Sequence, residues 1–206
     1  MEEENPALAF LLYQPKTAEG FVQPQLLSVH WMTTLPGYEN SLPLKPAEPS
    51  GKVWGHYVLW HTEADAAHDL KTQLTSERHA IFHDKLEKIL FKGILNANSL
   101  DDERAAQFAL SKALEVTVYE FDDPTAIKAG QAFYQDVLAA LDGIKSTVFL
   151  AEYGDNPKRA VGIVDWESPE NREEVRKKVQ PVFSHEELEK LTTIPFPPVL
   201  LQPNEV

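Results

Sequence analysis

The sequence predicts an α+β fold of two tandem β-α-β-β-α-β units, packed sheet to sheet as an intramolecular, pseudo-dimeric α/β barrel. Three observations lead there: an internal repeat, an element order that both copies share, and a composition suited to ordinary soluble cores. The 206 residues are 43% hydrophobic and 25% charged, which fits neither a disordered nor a membrane-embedded chain. A chain of this length buries either one large core or two small ones of about 100 residues each.

The repeat comes first because it constrains everything else. A shift of 106 positions pairs Tyr13 with Tyr119, Gln25 with Gln131, Leu35 with Leu141 and Gly37 with Gly143. Without a gap it also pairs Leu44 with Leu150, Lys52 with Lys158, Val58 with Val164 and Trp60 with Trp166. Tryptophan and tyrosine are scarce here, so chance is a poor explanation. Further on, LEKI at 86–89 answers LEKL at 188–191 at a shift of 102.

The second copy is the cleaner to read. Residues 116–121 (VTVYEF) are β-branched and aromatic, as a strand requires. Asp122, Asp123 and Pro124 then open a helix. Ala132, Phe133, Val137, Ala140 and Leu141 recur on one face of it, and Gly143 supplies its stop. Residues 146–153 (STVFLAEY) form a second strand, 153–158 a turn, and 159–166 (RAVGIVDW) a third strand completing a hairpin. Ser168 and Pro169 open a second helix, whose charged run at 170–178 reads as a solvated face. The apolar stretch at 194–201 returns as a fourth strand. This order is the ferredoxin-like unit.

The first copy follows with looser edges: strand 8–14, helix 25–35 stopping at Gly37, strand 38–44 and strand 52–60. Helix 63–73 comes next, and 86–95 supplies a last helical turn and the fourth strand. The expected organisation is a first repeat at 1–95, a linker with a short helix at 96–113, and a second repeat at 114–206. A single four-stranded sheet with helices on one face leaves its other face bare, so two such units are expected to cover each other.

Several function classes are disfavoured. The net charge of −13 repels phosphate and anionic lipid, so neither nucleic acid nor a membrane is an expected partner. With no cysteine there is no disulfide, thiolate nucleophile or Cys-ligated cluster. The start MEEENPALAF lacks the pattern of a secretory signal and no apolar run is long enough to span a membrane, so a cytoplasmic location is expected. No Gly-rich phosphate loop follows a strand, and there is no Gly-x-Ser-x-Gly elbow.

The strands ending in Trp and followed by a helix, LWHTEADAAHDL at 59–70 and DWESPENREEV at 165–175, resemble those of the dimeric α/β-barrel proteins, which include antibiotic-biosynthesis monooxygenase-like domains. ERHAIFHDKL at 77–86 is similar to the His-x-x-Phe stretch of many members, and VFSHEELEKL at 182–191 is a frayed version of it. The resemblance covers both halves and implies a fused pseudo-dimer, monomeric or pairing again as a homodimer. Relatives include cofactor-free quinol monooxygenases, polyketide cyclases, lactone isomerases, haem-handling enzymes and stress-response binding proteins. In a plant polyketide cyclase of this type the histidine matching His79 is catalytic. The tyrosine that assists it, six positions earlier, is Gln73 here, so that dyad does not carry over.

Read from the residues, His79 is the sharpest catalytic candidate, because a neutral imidazole takes a proton near neutral pH. It sits in an apolar stretch, Ala80–Ile81–Phe82, as a cavity wall would; the competing role is a helix cap or a solvated loop. His83 lies four residues on, the spacing of a metal pair on a helix, but no His-Glu-x-x-His arrangement supports it and no metal is expected. Trp54, His56, Val58 and Trp60 share one face of the third strand, which makes His56 a second catalytic candidate. Trp54, Tyr57, Trp60 and Phe82, with Tyr13, Tyr119, Tyr153 and Trp166, are the candidate substrate-binding residues. The second copy has Ala160, Gly162, Val164 and Trp166 on the equivalent face, which points to one asymmetric pocket built mainly from the first copy.

The expected function is a cofactor-independent enzyme acting by histidine acid–base chemistry on a hydrophobic, aromatic, polyketide-like or terpenoid-like small molecule. Cyclisation, isomerisation or dehydration in secondary metabolism leads, with quinol-type monooxygenation as the alternative. A non-catalytic ligand-binding or stress-response barrel is the other class.

Overall fold

The computed structural model of the chain describes residues 5–179 and 192–204. The stretch at 182–191, with His185 and the LEKL echo, lies outside the described residues. The chain divides into two compact units, Met1–Asn98 with Pro203–Val206, and Ser99–Gln202.

The first unit runs β1 (Ala7–Pro15), α1 (Val22–Met32), β2 (Tyr38–Pro46), β3 (Trp54–Trp60), α2 (Glu63–Thr75), a 3₁₀ turn (Glu77–His79), α3 (Ala80–His83) and β4 (Leu86–Asn96). Its strands pair antiparallel in the order β4-β1-β3-β2. After α4 (Asp102–Ala109) the second unit repeats the scheme: β5 (Leu114–Phe121), α5 (Ala126–Ala132), β6 (Ile144–Ala151), β7 (Arg159–Trp166), α6 (Pro169–Val179), β8 (Thr192–Thr193) and β9 (Val199–Pro203). The order β9-β5-β7-β6 reproduces that of the first unit, with the two-residue β8 also on β5. Each unit is therefore ferredoxin-like, and the chain is α+β. No described helix is long and apolar enough to cross a membrane.

The repeat extends to local chemistry that identity alone does not reveal. Thr62 caps α2 by accepting the N–H of Asp65 at 3.2 Å, and Ser168 accepts that of Asn171 at 3.1 Å. Gly37 and Gly143 hold φ of +80° and +87°. A Cβ on either would fall 2.6 Å from Asp65 Oδ2 or 2.0 Å from Asn171 Oδ1. Both glycines are required twice over, by the left-handed backbone and by the close approach of the helix start.

Four expectations are corrected. The helix foreseen up to Leu141 ends at Ala132 and continues as a π turn (Phe133–Val137) and a 3₁₀ turn (Leu138–Ala140). The π turn adds a residue and rotates the face, so Phe133, Tyr134 and Leu138 are buried while Val137 and Leu141 only flank the core. The last strand lies at 199–203, not 194–201; Ile194 is half-exposed. Residues 86–95 are all strand, with no helical turn. Finally, the charged run of α6 is not all solvated, since Arg172 is only 7% exposed.

That arginine shows where the units part in energetics. It forms a buried ion pair with Glu115 of β5, and Arg176 stands 3.9 Å from the same carboxylate. The 106-residue shift puts Ala66 and Ala9 at the positions of Arg172 and Glu115. Breaking a buried pair from one side leaves an uncompensated charge, so Arg172→Ala is expected to cost about 3–5 kcal/mol in urea unfolding. The double variant Arg172→Ala/Glu115→Ala, which restores the first unit's residues, is expected to recover most of that loss.

Candidate functional site

Between the sheet and helices of the first unit lies a buried polar chain. Residues 54, 56, 58 and 60 of β3 point toward the helices, whereas Tyr57 lies on the opposite face and stacks on Phe10. The Tyr57 hydroxyl is buried with no partner among the described residues. Asn204 Nδ2 donates to Gln25 Oε1 at 2.7 Å, and Gln25 Nε2 donates to the Tyr13 hydroxyl at 2.7 Å. The carbonyls of Gly55 and Leu44 also lie within reach of that amide, at 2.7 and 3.0 Å. Tyr13 stands 3.1 Å from His56 Nδ1, and His56 Nε2 stands 2.5 Å from Gln73 Oε1. Gln73 Nε2 donates to Asp69 Oδ2 at 2.8 Å, and the same oxygen accepts Trp60 Nε1 at 3.1 Å.

The tautomer follows from the partners. The Gln73 oxygen only accepts, so Nε2 of His56 carries the proton and Nδ1 accepts from Tyr13. Burial holds His56 neutral, its pKa pushed down from 6.5 to about 4 against the opposing hydrogen bond to Gln73. Burial pushes Asp69 up from 3.8 to about 7, despite its bonds from Gln73 and Trp60, and pushes the Tyr13 hydroxyl above its ordinary value. Both ring nitrogens of His56 are committed and its side chain has no exposure, so it positions its neighbours. Tyr13, Phe21, Trp54 and Phe82 close around it, with Tyr13–Phe82 centroids at 5.2 Å and Phe21–Trp54 at 5.3 Å. Such pairs are worth about 0.5–1.5 kcal/mol each beyond their buried area.

His79 lies apart from that chain, 2% exposed, with Nδ1 at 2.9 Å from Ser28 Oγ. Burial lowers its pKa, and the nearby charges of Arg78 and His83 add to this. His83, four residues on, is engaged with Asp84 and the carbonyl of Ser76.

The second unit has the same scaffold with different contents. At the shift of 106, Gly162 stands in place of His56, Tyr134 in place of Ser28 and Val175 in place of Asp69. The changes compensate: a Cβ on Gly162 would fall 2.0 Å from the Tyr134 hydroxyl. That hydroxyl lies 3.0 Å from Tyr119, as His56 Nδ1 lies near Tyr13. Burial pushes both phenols up, so they stay protonated as donors near neutral pH. Trp166 keeps the place of Trp60, but with Val175 in place of the aspartate its buried indole N–H has no partner among the described residues.

Here a cavity of ≈ 390 Å³ opens. Phe133, Leu138, Val164 and Trp166 give it apolar walls, and Thr117, Tyr119 and Tyr134 give it hydroxyls. Glu115, Glu173, Arg176 and Lys177 also line it. Of the candidates, Tyr119 and Trp166 line this cavity; His79, His56, Tyr13, Trp54, Trp60 and Phe82 belong to the first unit. Tyr153 is in the turn after β6, not on a strand face. This cavity lies in the second unit, whereas the sequence led to the expectation of a pocket built mainly from the first copy. Rings fill the helix-facing space around His56 in the first unit; in the second, Tyr134 takes the space over Gly162 and itself lines the cavity. Sequence reasoning missed Ser28, Asp69, Tyr134, Glu115, Arg172 and Arg176. The only signal for any of them was the repeat itself, carried past its identical residues.

Haem, which the resemblance allows, needs an axial ligand from His, Cys, Met or Tyr. Among the described lining residues there is no histidine, cysteine or methionine, and the two tyrosine hydroxyls bond to each other. The described lining does not fit haem.

No family model and no curated protein matches the chain. Solved structures do. A candidate monooxygenase from Fusobacterium nucleatum aligns over 100% of this chain and 94% of its own, with TM-score 0.61 and 10% identity. A candidate chlorite dismutase aligns over 97% and 94%, with TM-score 0.62 and 11% identity. An anthrone oxidase-like protein aligns over 98% and 92%, with TM-score 0.60 and 12% identity. These neighbours belong to the ferredoxin-like dimeric α/β-barrel superfamily, and at such identity the likeness is one of fold.

The opposed shifts of His56 and Asp69 yield a test of the buried chain. Between about pH 4 and 6.5 the unfolded chain protonates His56 and the folded one does not, so this term raises stability as pH rises. Between 3.8 and about 7 the folded chain keeps the Asp69 proton that the unfolded one has lost, so this term lowers stability as pH rises. Relative to the unaltered protein, His56→Gln is expected to lose stability as pH rises through this window and Asp69→Asn to gain it. Urea midpoints at several pH values check both signs.

Proposed function

We propose that the chain is a cofactor-independent enzyme acting by acid–base chemistry on a hydrophobic, aromatic or polyketide-like small molecule held in the cavity of the second unit. The observation that carries this reading is the cavity's make-up. Aromatic and aliphatic walls suit a planar skeleton, while the Tyr119–Tyr134 hydroxyl pair, 3.0 Å apart, offers protons to a developing enolate or phenolate. Glu115 is the base we assign, because its carboxylate lines the same space and the adjoining guanidiniums keep it in place. Cyclisation, isomerisation or dehydration follows from proton removal. Oxygenation is the alternative outcome, in which the deprotonated substrate reacts directly with dioxygen.

A second reading keeps His79 as the base. Its Nε2 makes no hydrogen bond with the described residues, so one ring nitrogen remains for a proton transfer in the first unit. A third, non-catalytic binding, draws on the ion pairs that hold Glu115, since they occupy the carboxylate that the first reading uses as its base.

The test is turnover of acidic phenols, anthrones and polyketide-like β-diketones by the purified protein, with and without oxygen. On the reading preferred here, Glu115→Gln lowers kcat by about 10²–10⁴-fold and His79→Gln leaves it nearly unchanged. The reverse pattern moves the chemistry to the first unit. Tight binding without turnover of any panel member leaves a binding protein. Oxygen-dependent product selects the monooxygenase alternative.

A further inference from the structure

The two tryptophans that end β3 and β7 occupy equivalent places, and only one has its N–H satisfied. Trp60 gives its proton to Asp69 at 3.1 Å; Trp166, 1% exposed, has no acceptor among the described residues, and Val175 stands where Asp69 would be. An orphaned buried donor is costly, and Trp166 forms part of the wall of a cavity. Along the lining Glu115 and Glu173 balance Arg176 and Lys177, and Arg172, paired with both carboxylates, adds one positive charge. Glu115 and Glu173 are both engaged by Arg172, and Arg176 is only loosely engaged, 3.9 Å from Glu115. Lys177 adds a further cation to the lining. In a chain of net charge −13 this local surplus of positive charge stands out.

From these features, and resting on the reading of the cavity as a ligand site, we infer that it selects a planar organic anion. One ligand oxygen accepts the Trp166 N–H in the role that Asp69 plays for Trp60, and the negative charge faces Arg176 and Lys177. The substrate class narrows to aromatic or polyketide-like carboxylates and ionised enols. The hydrophobic skeleton lies against Phe133, Leu138 and Val164, and the Tyr119–Tyr134 pair, with one proton used between its hydroxyls, keeps the other for a carbonyl.

The experiment uses 2-naphthoate and its neutral counterpart 2-acetonaphthone, titrated into the full chain by calorimetry and by tryptophan quenching. Naphthoate is expected to bind at least about tenfold more tightly, as a charge-assisted hydrogen bond allows. That preference is expected to collapse in Val175→Asp, which supplies the missing acceptor from the protein. It is also expected to collapse in Arg176→Gln/Lys177→Gln, whose side chains are not core and whose fold is not at risk. Equal binding of the two probes, or a preference untouched by the paired Gln variant, overturns the anion inference and leaves the cavity as a ligand site. Naphthoate binding unchanged in a folded Val175→Asp variant overturns the role given to Trp166. Failure of both probes to bind overturns the ligand-site reading as well.

Discussion

A buried N–H or O–H must find an acceptor, and in both halves of this protein the helix-facing side of the sheet is organised by that requirement. In the first unit one chain of side chains meets it, from Asn204 through Gln25, Tyr13, His56 and Gln73 to Asp69, where the Trp60 indole also ends, while the buried Trp54 N–H has no partner among the described residues. Each donor in this chain has an acceptor, and each ring is packed by another. The price is a carboxyl group whose pKa burial raises to about 7 and an imidazole kept neutral, with Asp69 Oδ1 left without a partner among the described residues. Such a network fills space and specifies one packing.

The second unit shows what happens when the same scaffold loses the middle of that network. Exchanging His56 for glycine frees the volume that the Tyr134 hydroxyl enters, and a phenol pair replaces the phenol–imidazole pair. Exchanging Asp69 for valine orphans the tryptophan. Two alanine positions become Glu115 and Arg172, placing a buried ion pair at the cavity's edge. The differences thus fall into two sets: Gly162 and Val175 remove the polar groups of the first unit's chain, and Glu115 and Arg172 bring charge where it has alanines.

Much of the architecture was legible because identical residues at one spacing mark equivalent structural places. Tyr13 with Tyr119, Gly37 with Gly143 and Trp60 with Trp166 sit where local geometry tolerates little else, and these pairs placed most strands within a residue or two. The candidate site was harder to read for a related reason. A pocket arises where equivalent positions differ, and His56 against Gly162 or Asp69 against Val175 carries no signal until it is known that these side chains face the helices. Tyr134 was hidden by the π turn, which shifts the helical face in a way that a regular 3.6-residue period does not contain. Arg172 and Arg176 were hidden because a run of charges on a helix has the same pattern whether it faces water or a polar cavity. His79 and His56 drew attention as histidines in apolar surroundings, and for His56 those surroundings proved to be core.

The central claim, that the second unit holds the ligand site while the first is solid, is tested most directly by a crystal structure of the full chain grown with an aromatic or polyketide-like ligand. The account predicts ligand density bounded by Tyr119, Tyr134 and Trp166, with the Tyr13–His56–Gln73 chain undisturbed. Density against His56 or His79, or side chains of the protein filling the space beside Trp166, would contradict it.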